Sequence, residues 1–382
     1  MVALTTGSTL ASGDQHSQLT TNNGLIYSWG NNQHGQLGLG APQAGSDSTP
    51  PGSITIPGTV MKEFSAGSAS SIALDTTGKV WSWGLNEHGQ LGLNSKDYEF
   101  ATPQTITDGL SKIIRIASGD AHVLALDDQG KLYSWGWNGW GQIGDGTKGP
   151  SIGREGDKIK PTPVVMSALN GQPVVDIAAG WATSAALDSA GRIWAWGYNY
   201  HGEVADGTGG PGRYETLPKL IDTSVLGSGY PVNIEFGRYH GILLDNTGRL
   251  WSWGWNNVGQ LGTGKTADAL RPEQIQLPHP VAKFTAGSQH TLALDNQGVL
   301  WSWGLNDNYQ LGDGTRIDRR SPVQVDLSAL GNSKVVEISA GDDFSLALDS
   351  QGRLWGWGNN LRGQIGNTSG VYFKTPVFTL QR

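Results

Sequence analysis

The 382-residue chain contains no cysteine. Disulfides, thiolate metal sites and thiol catalysis are thereby excluded, while the compartment stays open. Charge is also scarce: Asp, Glu, Lys and Arg together make up 15% of the residues, with a formal net charge of −7. A chain built to hold nucleic acid carries a basic footprint, so no nucleic-acid partner is expected. No apolar run approaches the length needed to cross a bilayer, so membrane insertion is not expected. Residues 1–7 lack a basic head and an apolar stretch, so no signal peptide is expected either. The expectation is a soluble chain, cytoplasmic or secreted with its signal removed. Catalytic signatures are absent as well: there is no Gly-x-Ser-x-Gly, His-Glu-x-x-His or phosphate-loop pattern. Gly207-Thr208-Gly209-Gly210-Pro211-Gly212 is glycine-rich, but no helix follows it to present an amino-terminal dipole, and it reads as a loop. No catalytic residue, metal site or cofactor is expected, and the chain is read as a non-enzyme.

What the chain has in quantity is glycine, 57 residues, and tryptophan, 16 residues. Both recur at fixed offsets. A Trp-Gly pair returns at Trp29, Trp83, Trp135, Trp196, Trp253, Trp303 and Trp357. The fullest version is Leu250-Trp251-Ser252-Trp253-Gly254-Trp255-Asn256, followed by Gly259-Gln260-Leu261-Gly262. A period of about 50 residues signals an array of structural units. The whole of 1–382 is read as one seven-unit domain, with repeats near 1–59, 60–110, 111–170, 171–230, 231–279, 280–333 and 334–382.

Each unit reads as four short strands. In the second, Met61 to Gly67, Ser71 to Asp75 and Lys79 to Gly84 alternate large and small residues, and a Pro-containing segment around Thr102-Pro103-Gln104 completes the set. Between the second and third strands lies Asp75-Thr76-Thr77-Gly78, with equivalent turns opened by Asp127, Asp188, Asp245, Asp295 and Asp349. Asp opens such turns by bonding backbone amides, and Gly supplies the positive φ. These six carboxylates are turn residues first. Four-stranded units repeated seven times predict an all-β, seven-bladed β-propeller of antiparallel blades, with the ring closed by the termini. Thr375-Pro376-Val377-Phe378 lies almost at the C-terminus; if that strand joins the first blade, closure is a strand exchange between the termini. The first unit carries Gln18 and Thr20 where the second has Ile72 and Leu74, a reason to expect closure to lean on the C-terminal strand.

The phrase Gly-x-x-His-x-x-Ala-Leu-Asp-x-x-Gly, continued by Tyr/Trp-Ser-Trp-Gly-x-Asn-x-x-Gly-Gln-Leu-Gly, resembles the repeat of the regulator of chromosome condensation family. The third unit matches nearly throughout: Gly119-Asp120-Ala121-His122 to Asp127, Tyr133-Ser134-Trp135-Gly136-Trp137-Asn138, and Gly141-Gln142-Ile143-Gly144. The resemblance spans essentially the whole chain and implies a seven-bladed propeller. Because one fold hosts unrelated roles, it says less about function. The family's best-known member is a nucleotide-exchange factor for the small GTPase Ran that works through a hairpin inserted in one blade. The nearest counterpart here is the extra segment of the third unit, residues 144–161, in which residues 152–159 would form a small hairpin. Bacterial propeller-type inhibitors of β-lactamases are also similar to this chain, and they grip their target through aromatics in the corresponding loops.

Twelve of the 16 tryptophans recur with the repeat: the seven before glycine, and Trp81, Trp194, Trp251, Trp301 and Trp355 two positions earlier, where Tyr27 and Tyr133 complete the column. These are read as rings packing blade on blade. His16, His122, His240 and His290 share a column with Ser70, Thr183 and Phe344, so packing and loop bonding suit them better than ligation. His34, His88 and His201 lie in a second loop, too scattered for a ligand set. Trp137, Trp140, Trp181 and Trp255 fall outside the repeating columns. In an up-down blade the first-to-second and third-to-fourth connections share one face. The first set carries Trp181, Tyr239 and Phe344; the second carries Trp137, Trp140, Tyr198, Tyr200, Trp255 and Tyr309. A clustered aromatic face needs an explanation that scattered exposed rings do not, and rigid rings are what protein-binding hot spots use. The predicted function is a monomeric protein-binding module whose partner-binding residues are these nine. Packing of the loops on one another is the alternative for some of them. Nucleotide exchange on a Ran-like GTPase and carbohydrate binding are the competing functions.

Overall fold

In the computed structural model, residues 9–21, 25–40, 49–169, 171–367 and 370–380 are described. They form seven four-stranded antiparallel sheets, each built from four consecutive strands. The fifth shows the pattern. Its innermost strand, Pro231–Phe236, pairs with His240–Asp245, which pairs with Leu250–Gly254, and Ala269–Gln274 forms the outer edge. Among the described residues no helix is long and apolar enough to cross a membrane.

The turn between the second and third strands is built as its sequence dictates. Asp245 Oδ1 accepts the amides of Thr247 (2.9 Å) and Arg249 (3.1 Å), while Oδ2 accepts the Trp251 indole N–H at 3.0 Å. Gly248 closes the turn at φ 83°. Burial alone would push the Asp245 carboxyl up, but the bonds from Thr247, Trp251 and the backbone outweigh it and hold it at about 2. Trp81, Trp194, Trp301 and Trp355 make the same bond to their own turn aspartates. The carboxylates are thus structural.

The core is divided among seven interfaces, one between each pair of neighbouring blades. In each interface the tryptophan before glycine is fully buried and donates its indole N–H to a backbone carbonyl of the preceding blade. Trp83 reaches Gln36 O (2.9 Å), Trp135 Gln90 O (3.0 Å), Trp196 Gln142 O (2.9 Å), Trp253 Glu203 O (2.8 Å), Trp303 Gln260 O (3.0 Å) and Trp357 Gln310 O (2.9 Å). The histidine column serves the same interfaces: His16, His122, His240 and His290 are fully buried, each with Nε2 against a Ser or Thr hydroxyl of the next blade.

The first and last blades meet and close the ring, as expected, without the strand exchange that the C-terminal strand made conceivable. Tyr372–Leu380 pairs with Leu354–Asn359 inside the seventh blade, and the first blade is complete from Thr9–Ser12 onward. The repeat begins here at an inner strand, so no strand is left over to exchange. The ring closes through the same contact as every other interface: Trp29 donates to Gln364 O at 2.8 Å, and Ser17 Oγ to the same carbonyl at 2.7 Å. Leu19, Trp29, Phe344, Leu346 and Ile365 form the apolar contact. The polar first blade is accommodated because buried Gln18 donates to Ser71 Oγ at 2.7 Å.

Replacing Trp253 by Ala removes roughly 150–250 Å² of buried ring and leaves Glu203 O without its donor. The expected cost is about 3–5 kcal/mol, read as a lowered midpoint in denaturant unfolding. A change under about 1 kcal/mol would contradict the role given to this column.

Candidate functional site

The third-to-fourth loops are shaped by the repeat. Asn256 Oδ1 accepts the Leu261 amide at 3.1 Å, and Asn199 Oδ1 the Val204 amide at 3.0 Å. Gly254 sits at φ 98° with the carbonyl of Tyr239 only 2.5 Å from where a Cβ would stand, so no other residue fits between the two loops. The next residue, Trp255, donates its amide to that carbonyl at 2.9 Å. A first-to-second loop and a third-to-fourth loop are thereby tied together in one blade.

Seven of the nine predicted residues come together in one band of rings. Trp137 meets Trp181 edge-on at 5.2 Å, Trp181 meets Tyr198 (5.3 Å) and Tyr239 (5.1 Å), and Tyr239 meets Trp255 at 5.5 Å. Trp140 stands edge-on to Tyr198 at 4.9 Å, and Tyr200 stacks on Tyr198 at 6.3 Å. Trp140, Trp181, Tyr198, Tyr239 and Trp255 are half-buried, Tyr200 is exposed, and Trp137 is the innermost at 8% exposure. The indole N–H groups of Trp137 and Trp140 have no acceptor among the described residues, whereas the seven indoles of the interface column all have one.

Two predicted residues stand apart. Tyr309 lies between Arg316 (4.9 Å) and Lys374 (5.8 Å) in the sixth and seventh blades. Phe344 is fully buried in the seam between the seventh and first blades, so it does not reach the face. It fills the site that histidine holds in four other blades, and the strand that begins with it points its side chain between blades. Sequence reasoning also missed two members of the band and a separate exposed ring, Tyr98. His88 packs on Trp137 at 5.8 Å and His201 on Trp255 at 5.4 Å, each with Nδ1 2.7 Å from an aspartate of the next blade, Asp157 and Asp268. Tyr98, exposed at the end of the second blade's loop, faces His34 at 6.0 Å and Arg154 at 5.9 Å. The signal for the histidines lay in an acid ahead of the outer strand of the following unit. The expected hairpin is absent: residues 151–157 form bends and a turn, and Ile152 stands 89% exposed.

Beside the rings, the inner strands and first-to-second loops line an axial cavity of about 280 Å³. Its mouth holds Asp14, Asp120, Trp181, Arg238 and Asp342. Burial and the neighbouring Asp342 push the Asp14 carboxyl up, against a 2.6 Å bond from Ser68 Oγ. Burial and Asp14 push Asp120 well up, with Arg238 opposing. Asp343 is pushed up to about 7 by burial, then by Asp342 and Asp307. Deeper in the cavity, burial raises Glu235 to about 7 despite a 3.1 Å bond from the Ala286 amide.

The chain matches the RCC1-like domain over residues 3–230 and the regulator of chromosome condensation (RCC1) repeat over 247–294 and 297–348. It is 31% identical over 359 residues to the ultraviolet-B receptor UVR8 of Arabidopsis thaliana, covering 93% of this chain and 65% of that protein. It is 32% identical over 268 residues to the probable E3 ubiquitin-protein ligase HERC6 of Homo sapiens, covering 70% of this chain and 25% of that protein. The chain thus spans under two thirds of the length of both. The solved structure of Prp20p from Saccharomyces cerevisiae superposes with a TM-score of 0.79 at 23% identity, covering 90% of this chain and 82% of that one; its likeness shows the fold.

The mouth makes a pH-dependent prediction. Asp343 titrates near 7 in the fold against an ordinary 3.8, so the folded state keeps a proton that the unfolded chain releases. Its destabilising effect is absent below about pH 4, grows as pH rises to 7 and is constant above. Asp343→Asn should therefore raise the thermal midpoint little at pH 4 and more at pH 7; an equal rise at both would contradict the assignment. The repeats, the seven blades and their shared interface contact place the chain in the regulator of chromosome condensation (RCC1) repeat family.

Proposed function

We propose that this propeller is a non-enzymatic binding module that takes a protein partner, as a monomer, on the band of rings over blades three to five. The observation that carries this reading is the continuity of Trp140, Trp181, Tyr198, Tyr200, Tyr239 and Trp255 on one face. All are at least partly open to solvent, and none belongs to the columns that hold blade to blade. A packed set of aromatic rings offers large contact area at little entropic cost, which suits a hot-spot cluster. His88 and His201 extend the band, and Lys148 over Trp140 (5.7 Å) borders it. Relatives named as a receptor and as a ligase, together with a fold neighbour titled for binding Gsp1p and histones, illustrate how many roles one propeller serves. The role is therefore argued from the face. Exchange on a Ran-like GTPase is less favoured, because residues 151–157 of the inserted segment form bends and a turn and no hairpin to act as a wedge.

The test is affinity capture from the native host with the wild type and a Trp140→Ala/Trp181→Ala variant. The variant should lose the partner and keep its thermal midpoint within a few degrees. Undiminished capture would refute the face, and unfolding of the variant would show that these rings belong to the core.

A further inference from the structure

The loop that carries Tyr198 and Tyr200 departs from its six counterparts at two buried positions. The first is Glu203. Six blades have glutamine there, at Gln36, Gln90, Gln142, Gln260, Gln310 and Gln364. Each uses its side-chain oxygen to accept an amide two residues earlier, as in Val258 N to Gln260 Oε1 at 3.1 Å. Glu203 copies this with Oε2, which accepts the His201 amide at 2.8 Å. Its other oxygen, Oε1, has no partner among the described residues, and the residue is 0% exposed. The second departure is Ala205. It sits at φ 53°, where the other loops place Gly38, Gly92, Gly144, Gly262, Gly312 and Gly366. A side chain in the left-handed region is strained, so this loop is held in place against a cost that the others avoid.

The first departure falls under the rings. Glu203 O accepts Trp253, and the ionisable groups that face its carboxyl are Tyr198, Tyr239 and Asp268, with His201 in the same loop paired to Asp268. None of the first three can neutralise a carboxylate. A neutral carboxyl has the shape of the glutamine amide and can stay buried. An ionised one carries two acceptor oxygens, one of them without a donor, in a ring-lined interior. Water can reach it once the strained loop lifts.

We propose that a proton on Glu203 latches the aromatic face: while the carboxyl is neutral the loop stays seated and the rings stay assembled, and ionisation releases both. Burial, with Asp268 adding to it and the His201 amide opposing, raises this carboxyl to about 8, so the latch opens on the alkaline side of neutrality. One pH unit above its midpoint about one tenth of these carboxyls keep the proton. The proposal rests on the rings being the binding face only for its biological meaning; the latch itself is read without a partner.

The experiment is near-ultraviolet circular dichroism of the full chain between pH 6 and 9, with far-ultraviolet spectra in parallel. Burial pushes the Tyr198 and Tyr239 phenols up, so they stay un-ionised across this range. The wild type should lose most of the aromatic signal assigned to the ring band between pH 7 and 9, with unchanged strand content. Glu203→Gln, which installs the residue of the other six blades, should stay flat. Glu235→Gln and Asp343→Asn, at the carboxyls pushed up to about 7, should follow the wild type. A flat wild type, or a Glu203→Gln variant that titrates like it, would overturn the latch and leave the binding face untouched. Lost capture on mutation of Trp140 and Trp181 is a separate readout that tests the face alone.

Discussion

Every interface of this ring is closed by one hydrogen bond, from a tryptophan indole to a backbone carbonyl of the preceding blade. The bond is repeated seven times, including across the seam between the last blade and the first. It explains several features together. The indole must be fully buried to sit between blades, so its N–H must find an acceptor. The acceptor is a main-chain group, so the column tolerates Glu203 in place of glutamine. The ring needs no exchanged strand, because Trp29 and Gln364 supply at the seam what each other interface has.

The same geometry sets where variation is free. The glycine after each interface tryptophan brings the third-to-fourth loop against the first-to-second loop of its own blade, at Gly254 so closely that a Cβ would stand 2.5 Å from the Tyr239 carbonyl. Residues up to that glycine answer to the neighbouring blade, and those just beyond it answer to solvent and to adjacent loops. Trp253 and Trp255 are thus two positions apart in sequence, one between blades and the other in the band of rings. The rings gather over blades three to five because blades four and five carry aromatics in both sets of loops and blade three carries two in its third-to-fourth loop. The acidic mouth and the buried Glu203 carboxyl lie beside and beneath them.

Much of this was legible in the residues. Periodicity identified the blades, the turn aspartates and the buried tryptophans, because each recurs wherever the same physical demand recurs. Seven of the nine face residues were found by subtraction, as aromatics outside the repeating columns. Phe344 misled because it lies in a loop by counting but in a blade interface by geometry; its column with His122 and His290 held the better clue. His88 and His201 were missed because their partners Asp157 and Asp268 lie in the next blade, 69 and 67 residues away. Strand exchange stayed open for a different reason: proximity of the termini fixes which blades meet, while strand pairing depends on where in the unit the repeat begins.

The division between scaffold and face is tested most directly by hydroxyl-radical footprinting of the sixteen tryptophans, on the chain alone and with its captured partner. The account predicts that Trp140, Trp181 and Trp255 label in the free chain and become protected in the complex. Trp253 and the other interface tryptophans should stay unlabelled in both. Protection confined to the opposite face, at the turns opened by Asp188 and Asp245, with Trp140, Trp181 and Trp255 still labelling in the complex, would contradict it.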